Sequence, residues 1–241
     1  MKMERQVFAD IEALSRAALD EVFRIADKAV AKHGRCSISL SGGHTPERMF
    51  GLWSLDKYRT KFPWQHAHFF WGDDRYVPYS DPLSNYGVAK KLLFDRVSSN
   101  VHPMPTSPPD PKEAAAEYAG ELRKFFGTEP PEFDVQLLGL GGEGHTASLF
   151  PDNPALDEQQ AWVLAVTVPA RPPQRLTMTY PVINQARHTY FLVAGESKRD
   201  IIKAIANEPD SGLSWYPAAR VRPAGDLVWF LDKAAASGIA G

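Results

Sequence analysis

Residues 133–151 read FDVQLLGLGGEGHTASLFP, and the rest of the chain is organised around this stretch. It begins as an apolar run, residues 135–140, with the length and composition of a buried β-strand. Four of the next residues, at positions 139, 141, 142 and 144, are glycines, which allow sharp turns and close approach of a ligand to the main chain. We therefore predict a strand, a tight glycine-rich turn and the N-terminus of a helix.

That arrangement would be suited to chemistry on an anion. Unpaired N–H groups and the positive end of a helix dipole stabilise an anion or a developing oxyanion. His145 would stand at the rim, where it could take up and return a proton near neutral pH. Two alternatives are a structural turn with an incidental histidine and a dinucleotide site of the Gly-x-Gly-x-x-Gly type. The latter needs an acidic residue after the next strand, but the run at residues 162–168 ends in Pro-Ala-Arg.

A second strand–glycine–helix unit occurs near the N-terminus. An apolar run at residues 36–40 is followed by SGGHTP at residues 41–46. Thr45 is a good N-cap with proline after it, so we predict a helix over residues 47–53. This unit is a second candidate anion site.

Charged residues follow two further apolar runs. Residues 72–75, GDDR, come after a predicted strand at residues 66–71. Open α/β sheets bind ligands at the carboxyl ends of their strands, although a solvated turn is the alternative. Lys198 opens a helix predicted over residues 198–206, against the preference of the helix dipole. It is either a phosphate ligand or a solvated lysine.

Strand and helix patterns alternate along the whole chain. Residues 10–33 carry apolar side chains three or four positions apart, so they predict an amphipathic helix that Asp10 caps and Gly34 ends. We predict one α/β domain over residues 1–241, a three-layer, Rossmann-like fold with a mostly parallel sheet and helices on both faces. Further strands are predicted at residues 162–168, 176–180, 190–194 and 227–231, and further helices at residues 87–96 and 112–126.

Composition excludes several classes of function. The formal net charge is −2, from 27 Lys+Arg against 29 Asp+Glu, so there is no basic excess for nucleic-acid binding. The single cysteine, Cys36, excludes an intramolecular disulfide and a cysteine-based zinc site. No apolar run approaches the ~20 residues of a membrane span, and the first residues lack a signal-peptide core. We expect a cytoplasmic enzyme or binding protein.

Taken in order, these motifs resemble the 6-phosphogluconolactonase family, and the resemblance covers nearly the whole chain. The longest match is the string from Gly139 to Pro151, in which Glu143 replaces the family's usual aspartate. The implied fold is similar to that of glucosamine-6-phosphate deaminase. The other matching segments are SGGHTP at residues 41–46, DDR at 73–75, SN at 84–85, RLT at 175–177, GESK at 195–198 and YPA at 216–218.

The resemblance implies an enzyme of carbohydrate metabolism. Its reaction would be hydrolysis of 6-phospho-D-glucono-1,5-lactone to 6-phospho-D-gluconate, the second step of the oxidative pentose phosphate pathway, without a metal or other cofactor. The related deaminases have an asparagine and a glutamate after the Gly-His segment, whereas this chain has SLFP at residues 148–151. That difference favours lactone hydrolysis over proton transfer at C2. A sugar-phosphate sensor without chemistry is the remaining alternative, but a catalytic histidine and basic residues together favour an enzyme.

For this substrate we expect His145 to be the general base, and Asp73 either to orient it or to hold a sugar hydroxyl. Backbone N–H groups of residues 141–144 would stabilise the oxyanion. Ser148 lacks the Gly-x-Ser-x-Gly elbow, so no serine triad is predicted. The only expected partner is the small phosphosugar, with the protein a monomer or weak homo-oligomer. The predicted substrate- and phosphate-binding residues are Gly42, Gly43, Thr45, Arg75, Asn85, Gly142, Gly144, Arg175 and Lys198.

Overall fold

Two sheets make up the framework of the computed structural model, which describes residues 4–208 and 214–239. Seven strands form a parallel sheet in the order β1-β10-β9-β6-β2-β3-β5, and three form an antiparallel sheet in the order β4-β8-β7. The strands are β1 (Arg5–Phe8), β2 (Cys36–Leu40), β3 (Ala67–Trp71), β4 (Asp73–Arg75), β5 (Asn100–His102), β6 (Val135–Leu138), β7 (Val163–Thr167), β8 (Gln174–Met178), β9 (His188–Val193) and β10 (Asp226–Asp232).

Helices cover both faces of the parallel sheet. Tyr190 of β9 and Phe70 of β3 point to opposite faces, since side chains alternate along a strand and the two strands are joined in register through β6 and β2. The Tyr190 hydroxyl donates to Glu21 of the first helix at 3.3 Å, and Phe70 packs on Phe125 of the fifth. The helices are α1 (Ile11–His33), α2 (His44–Trp53), α3 (Asp56–Arg59), α4 (Asn85–Leu92), α5 (Pro111–Phe126), α6 (Tyr180–Ile183), α7 (Arg199–Asn207) and α8 (Lys233–Ala236).

The predicted three-layer α/β architecture is therefore confirmed. Local signals were sufficient for α1: the Asp10 carboxylate accepts from the Ala13 N–H at 2.8 Å, and Gly34 closes the helix with a φ of 81°. None of the helices in the described part of the chain combines the length and apolarity needed to cross a membrane.

Two local predictions are wrong. The runs at residues 162–168 and 176–180 do not join the parallel sheet, because β7 and β8 pair with the short strand β4 in the second sheet. The glycine-rich turn after β6 does not open a helix. Instead, the chain stays irregular from residue 139 to residue 153, with a tight turn closed by the Leu149 N–H on the Thr146 carbonyl at 3.0 Å.

Candidate active site

His145 lies in an irregular loop that starts at the carboxyl end of β6. Two hydrogen bonds fold this loop: the Gly141 N–H donates to the His145 carbonyl at 2.8 Å, and the Gly144 N–H donates to the Gly141 carbonyl at 3.1 Å. A Cβ atom at position 141 would collide with the His145 Nδ1 atom, so glycine is needed there to let the imidazole fold back. The sequence predicted that this segment would begin a helix, with its dipole behind His145. In the structure the described residues of the loop form no such helix.

A carboxylate accompanies the imidazole. Nδ1 of His145 and Oε2 of Glu143 are 3.0 Å apart, although the contact lacks the angle of a hydrogen bond in the described structure. Burial lowers the pKa of His145, while Glu143 and Asp73 oppose the shift without cancelling it. Because its pKa lies below the ordinary value of ~6.5, His145 is neutral at pH 7 and can accept a proton.

Phe150 fixes the plane of the imidazole. Its ring is buried and stacks on that of His145 with centroids 3.9 Å apart and an interplanar angle of 14°. This contact explains part of the burial of His145. The sequence placed Phe150 in the matching string without giving it a role.

Asp73 belongs to β4 and is held by two side chains. Its Oδ2 accepts from the Ser148 hydroxyl at 2.7 Å, and its Oδ1 lies 3.3 Å from Asn85 Nδ2, which also donates to the Asp73 carbonyl at 2.9 Å. Of the two roles expected for Asp73, direct orientation of His145 is not supported. The carboxylate against the imidazole is that of Glu143.

The neighbouring Asp74 is fully buried and organises the start of α4. Its carboxylate accepts from the N–H groups of Arg75, Asn85 and Tyr86 at 2.7, 2.6 and 3.0 Å. Burial raises the pKa of Asp74 to about 6, against the effect of those three donors. The result is a rigid connection that places Asn85 over Gly42, where a Cβ atom would collide with the Asn85 side chain.

Two arginines face each other across β4 and β8. Arg75 and Arg175 are register partners, a position at which like charges destabilise a sheet. Burial lowers the pKa of Arg175, and Arg75 lowers it further, against Asp73 and Asp74. Neither guanidinium has a carboxylate within ion-pair distance among the residues the structure describes. The Arg75 Nε atom is buried without a partner in the same set.

Lys198 and Arg171 add to this positive charge. Lys198 is half-buried and directly precedes α7, which begins one position after the predicted helix start. Burial lowers its pKa, while the Glu143 carboxylate opposes the shift. Arg171 was not predicted. It lies in the loop before β8, and the Arg175 Nη2 atom donates to its carbonyl at 3.3 Å. The signal in the sequence was a second arginine four positions before a predicted phosphate ligand.

The N-terminus of α2 supplies the dipole that the His145 loop lacks. Gly43, not the predicted Thr45, is the N-cap, with a φ of 101° that favours glycine. The helix runs for 10 residues behind it. Because the first N–H groups of a helix have no partner within it, the Gly43 end of α2 presents donors to an anion, and Gly42 lines the cavity beside it.

One cavity of about 390 Å³ collects these groups. Two predicted residues do not line it: Thr45 is buried in the first turn of α2, and Gly144 packs against Tyr216. Ser41, Ala147, Phe150 and Arg171 line it without having been predicted. The predicted residues that line it are Gly42, Gly43, Asp73, Arg75, Asn85, Gly142, His145, Arg175 and Lys198.

Fold and cavity together define an α/β protein with a site for a small anionic molecule, equipped with a neutral histidine. A family model described as glucosamine-6-phosphate isomerases/6-phosphogluconolactonase matches residues 9–229. The chain belongs to this family, which confirms the resemblance seen in the sequence.

Individual relatives support this family membership. A 6-phosphogluconolactonase of Synechocystis sp. is 42% identical over 228 residues, 92% of each chain. The structure of 6-phosphogluconolactonase from Trypanosoma cruzi superposes with a TM-score of 0.84 at 27% identity, covering 100% of this chain and 98% of that one. A monomeric glucosamine-6-phosphate deaminase has a TM-score of 0.79 at 20% identity, covering 98% and 100%, which is a likeness of fold alone.

Proposed function

We propose that this protein hydrolyses 6-phospho-D-glucono-1,5-lactone to 6-phospho-D-gluconate, the second step of the oxidative pentose phosphate pathway. One observation carries the proposal: a histidine that is neutral at pH 7 and two arginines without carboxylate partners in the described structure line the same cavity. The substrate has the matching pair of features, an ester carbon open to attack by water and a phosphate. The relatives named 6-phosphogluconolactonase support the same assignment.

His145 acts as the general base in this proposal. Its Nδ1 lies against Gly141 and Glu143, so Nε2 takes the proton from a water that attacks C1 of the lactone. The tetrahedral intermediate then breaks its bond from C1 to the ring oxygen. The imidazolium returns the proton to that oxygen, which becomes the C5 hydroxyl. A positioned base of this kind contributes about 10²- to 10⁴-fold.

The oxyanion donor is the Gly142 N–H. The predicted range of residues 141–144 narrows to it because the Gly141 and Gly144 amides already donate within the loop and Glu143 does not line the cavity. Gly142 lines the cavity, and within the described residues its N–H has no acceptor. One such donor typically contributes about 10²- to 10³-fold in rate.

The phosphate is bound by Arg75 and Arg175. Because these two arginines are register partners, a bound anion reduces the repulsion between their positive charges. The α2 N-terminus at Gly43 and Lys198 complete the set of donors. Asp73 accepts a hydrogen bond from a sugar hydroxyl through Oδ1, which holds only the longer contact with Asn85 at 3.3 Å, whereas Oδ2 is held by Ser148 at 2.7 Å.

Isomerisation or deamination at C2 is less well supported by the same geometry. Such a reaction needs carboxylates near the histidine to move protons between carbons. Glu143 lies against the imidazole but does not line the cavity, so Asp73 is the sole carboxylate among the described residues that face the substrate. In the stretch 148–151, where the related deaminases carry an asparagine and a glutamate, Ser148 and Phe150 are buried, with Ser148 hydrogen-bonded to Asp73 and Phe150 stacked on His145.

A coupled assay tests the function. Glucose-6-phosphate dehydrogenase generates the lactone, and 6-phosphogluconate dehydrogenase reports the acid as a second burst of NADPH, with spontaneous opening measured in a no-enzyme control. We expect wild type to accelerate the burst and His145→Ala to lower kcat about 10²- to 10⁴-fold with little change in KM.

His66→Ala is the matched control, since His66 hydrogen-bonds Gly34 away from the cavity. If wild type matched the no-enzyme control, lactonase activity would be excluded, and conversion of glucosamine-6-phosphate would be measured next. Wild-type activity that survived in His145→Ala would instead remove His145 as the base.

We further propose that residues 1–241 act as one domain, as a monomer or weak homo-oligomer in the cytoplasm, and without nucleic acid. The support is that one chain supplies every group the reaction needs. Size-exclusion chromatography with light scattering tests the oligomeric state, and a tight oligomer would contradict it.

A further inference from the structure

Ser148 connects the two sheets at the candidate active site. It follows His145 by three positions in the loop after β6, yet it is 0% exposed and does not line the cavity. Its hydroxyl donates to Asp73 Oδ2 at 2.7 Å, and its N–H donates to the Thr177 hydroxyl at 3.2 Å. Asp73 on β4 and Thr177 on β8 are register partners. Ser148 therefore fastens the loop to two strands of the antiparallel sheet at once.

The turn that presents Ser148 is strained. Ala147 has a φ of 48°, which is uncommon for a residue other than glycine. The turn around it is closed by the Leu149 N–H on the Thr146 carbonyl at 3.0 Å. Such a conformation persists where the surrounding structure fixes it, and the two hydrogen bonds of Ser148 provide that constraint.

This connection matters because the reacting groups come from different sheets. His145 is carried by the loop after β6 of the parallel sheet, whereas Arg75 and Arg175 belong to the antiparallel sheet. The substrate has its ester carbon and its phosphate at opposite ends. Base and phosphate ligands must therefore be held at a fixed separation, and small displacements of reacting groups are costly in rate.

We propose that Ser148 is a positioning residue, which sets the His145 loop against β4 and acts through Asp73. The inference rests on the proposed function. The Ser148 hydroxyl holds Asp73 Oδ2 at 2.7 Å and Asn85 contacts Oδ1 at 3.3 Å, so Ser148 fixes the carboxylate from the side of the His145 loop. A merely structural serine would stabilise the loop without depending on the charge of Asp73.

A double-mutant cycle separates the two roles. Kinetics are measured for wild type, Ser148→Ala, Asp73→Asn and the double variant in the coupled assay. Ser148→Ala should lower kcat/KM by about tenfold to one-hundredfold, the range of a hydrogen bond to a charged group, mainly through kcat. In the Asp73→Asn background the same change should cost less than about threefold, because its partner is already altered.

Thr146→Val is the matched control. Thr146 is as buried as Ser148 and its hydroxyl donates to the Gly139 carbonyl at 3.0 Å in the same loop, without contacting Asp73. Its effect should be the same in both Asp73 backgrounds. If Ser148→Ala does not fold, Ser148→Cys, which keeps the volume and weakens the donor, replaces it in the cycle.

The outcomes are distinct. A wild-type protein that does not accelerate lactone opening overturns the proposed function, and the positioning role with it. In a second outcome, wild type is active while Ser148→Ala lowers kcat/KM by the same factor whether residue 73 is aspartate or asparagine, as is expected for Thr146→Val. That result overturns the positioning role alone. Non-additivity confined to the Ser148–Asp73 pair supports it.

Discussion

Replacing Arg175 by methionine tests the charge arrangement on which the phosphate site depends. Arg175 is 5% exposed, and its Nε and Nη2 atoms already donate to the carbonyls of Pro172 at 2.7 Å and Arg171 at 3.3 Å. Within the described residues, Nη1 has no partner. Methionine fills a similar volume without the charge, so Arg175→Met removes one hydrogen bond to the phosphate and the repulsion between Arg175 and Arg75.

The magnitude follows from that single bond. A hydrogen bond between charged groups contributes about 1.5–3 kcal/mol, which corresponds to about 10- to 150-fold weaker binding. With ligand at 100 times the wild-type Kd, binding stabilises wild type by about 2.7 kcal/mol. A variant that binds 100-fold more weakly gains only about 0.4 kcal/mol at the same concentration. For a chain of this size, the ligand should raise the Tm of wild type by about 5–10 °C and the Tm of Arg175→Met by about 1–2 °C.

Thermal unfolding with and without the product, 6-phosphogluconate, measures this difference. The quantity compared is the change in Tm that the ligand causes in each protein. The Tm without ligand is not compared, because Arg175→Met itself alters stability by removing both hydrogen bonds and charge repulsion. Arg96→Met is the control, since Arg96 contacts Ser54 outside the cavity and should keep the full shift. A full shift in Arg175→Met, with an unchanged KM in the coupled assay, would refute the assignment of Arg175 to the phosphate.

Three further predictions concern His145. Because burial holds the pKa of His145 below its ordinary value of ~6.5, kcat/KM should fall on the acid side with a midpoint at a lower pH than that value. Glu143→Gln removes a carboxylate that favours the protonated form, so the acid limb should move to lower pH, and movement to higher pH would contradict the electrostatic assignment. Gly141→Ala should displace the imidazole and lower kcat about as much as His145→Ala, whereas Gly120→Ala, in open space on α5, should leave kinetics unchanged. Normal kcat in Gly141→Ala would mean that the imidazole is not held where the structure places it.

The parts of the structure that could be predicted are those that depend on neighbours in the sequence. The apolar periodicity of α1, its Asp10 cap and its Gly34 terminus are all local, and each was correct. The inner strands of the parallel sheet appear as apolar runs because both of their faces are buried, whereas the edge strands β1 and β5 are partly exposed and were not predicted. Since the carboxyl ends of parallel strands lie at one edge of a sheet, residues that follow different strands could be assigned to one site.

The parts that could not be predicted depend on contacts between distant segments. The strand β4 has three residues, two of them acidic, and only its pairing with β8 makes it a strand. The segment after the glycine-rich turn contains good helix formers, but Ser148 is drawn to Asp73 and Thr177, far away in the sequence. That tertiary contact overrides local propensity, so the predicted helix does not form.

The charge distribution supports the proposal that the cavity binds an anion, although the net charge of the protein is −2. Asp73 and Asp74 directly precede Arg75 in the sequence, yet neither forms an ion pair with its guanidinium in the described structure. Their carboxylates are taken up by Ser148, Asn85 and backbone N–H groups instead. Diverting the nearest acids in this way leaves the positive charge of the cavity available to a ligand. Several arginines elsewhere do have carboxylate partners: Arg16, Arg24, Arg48, Arg59, Arg187 and Arg199.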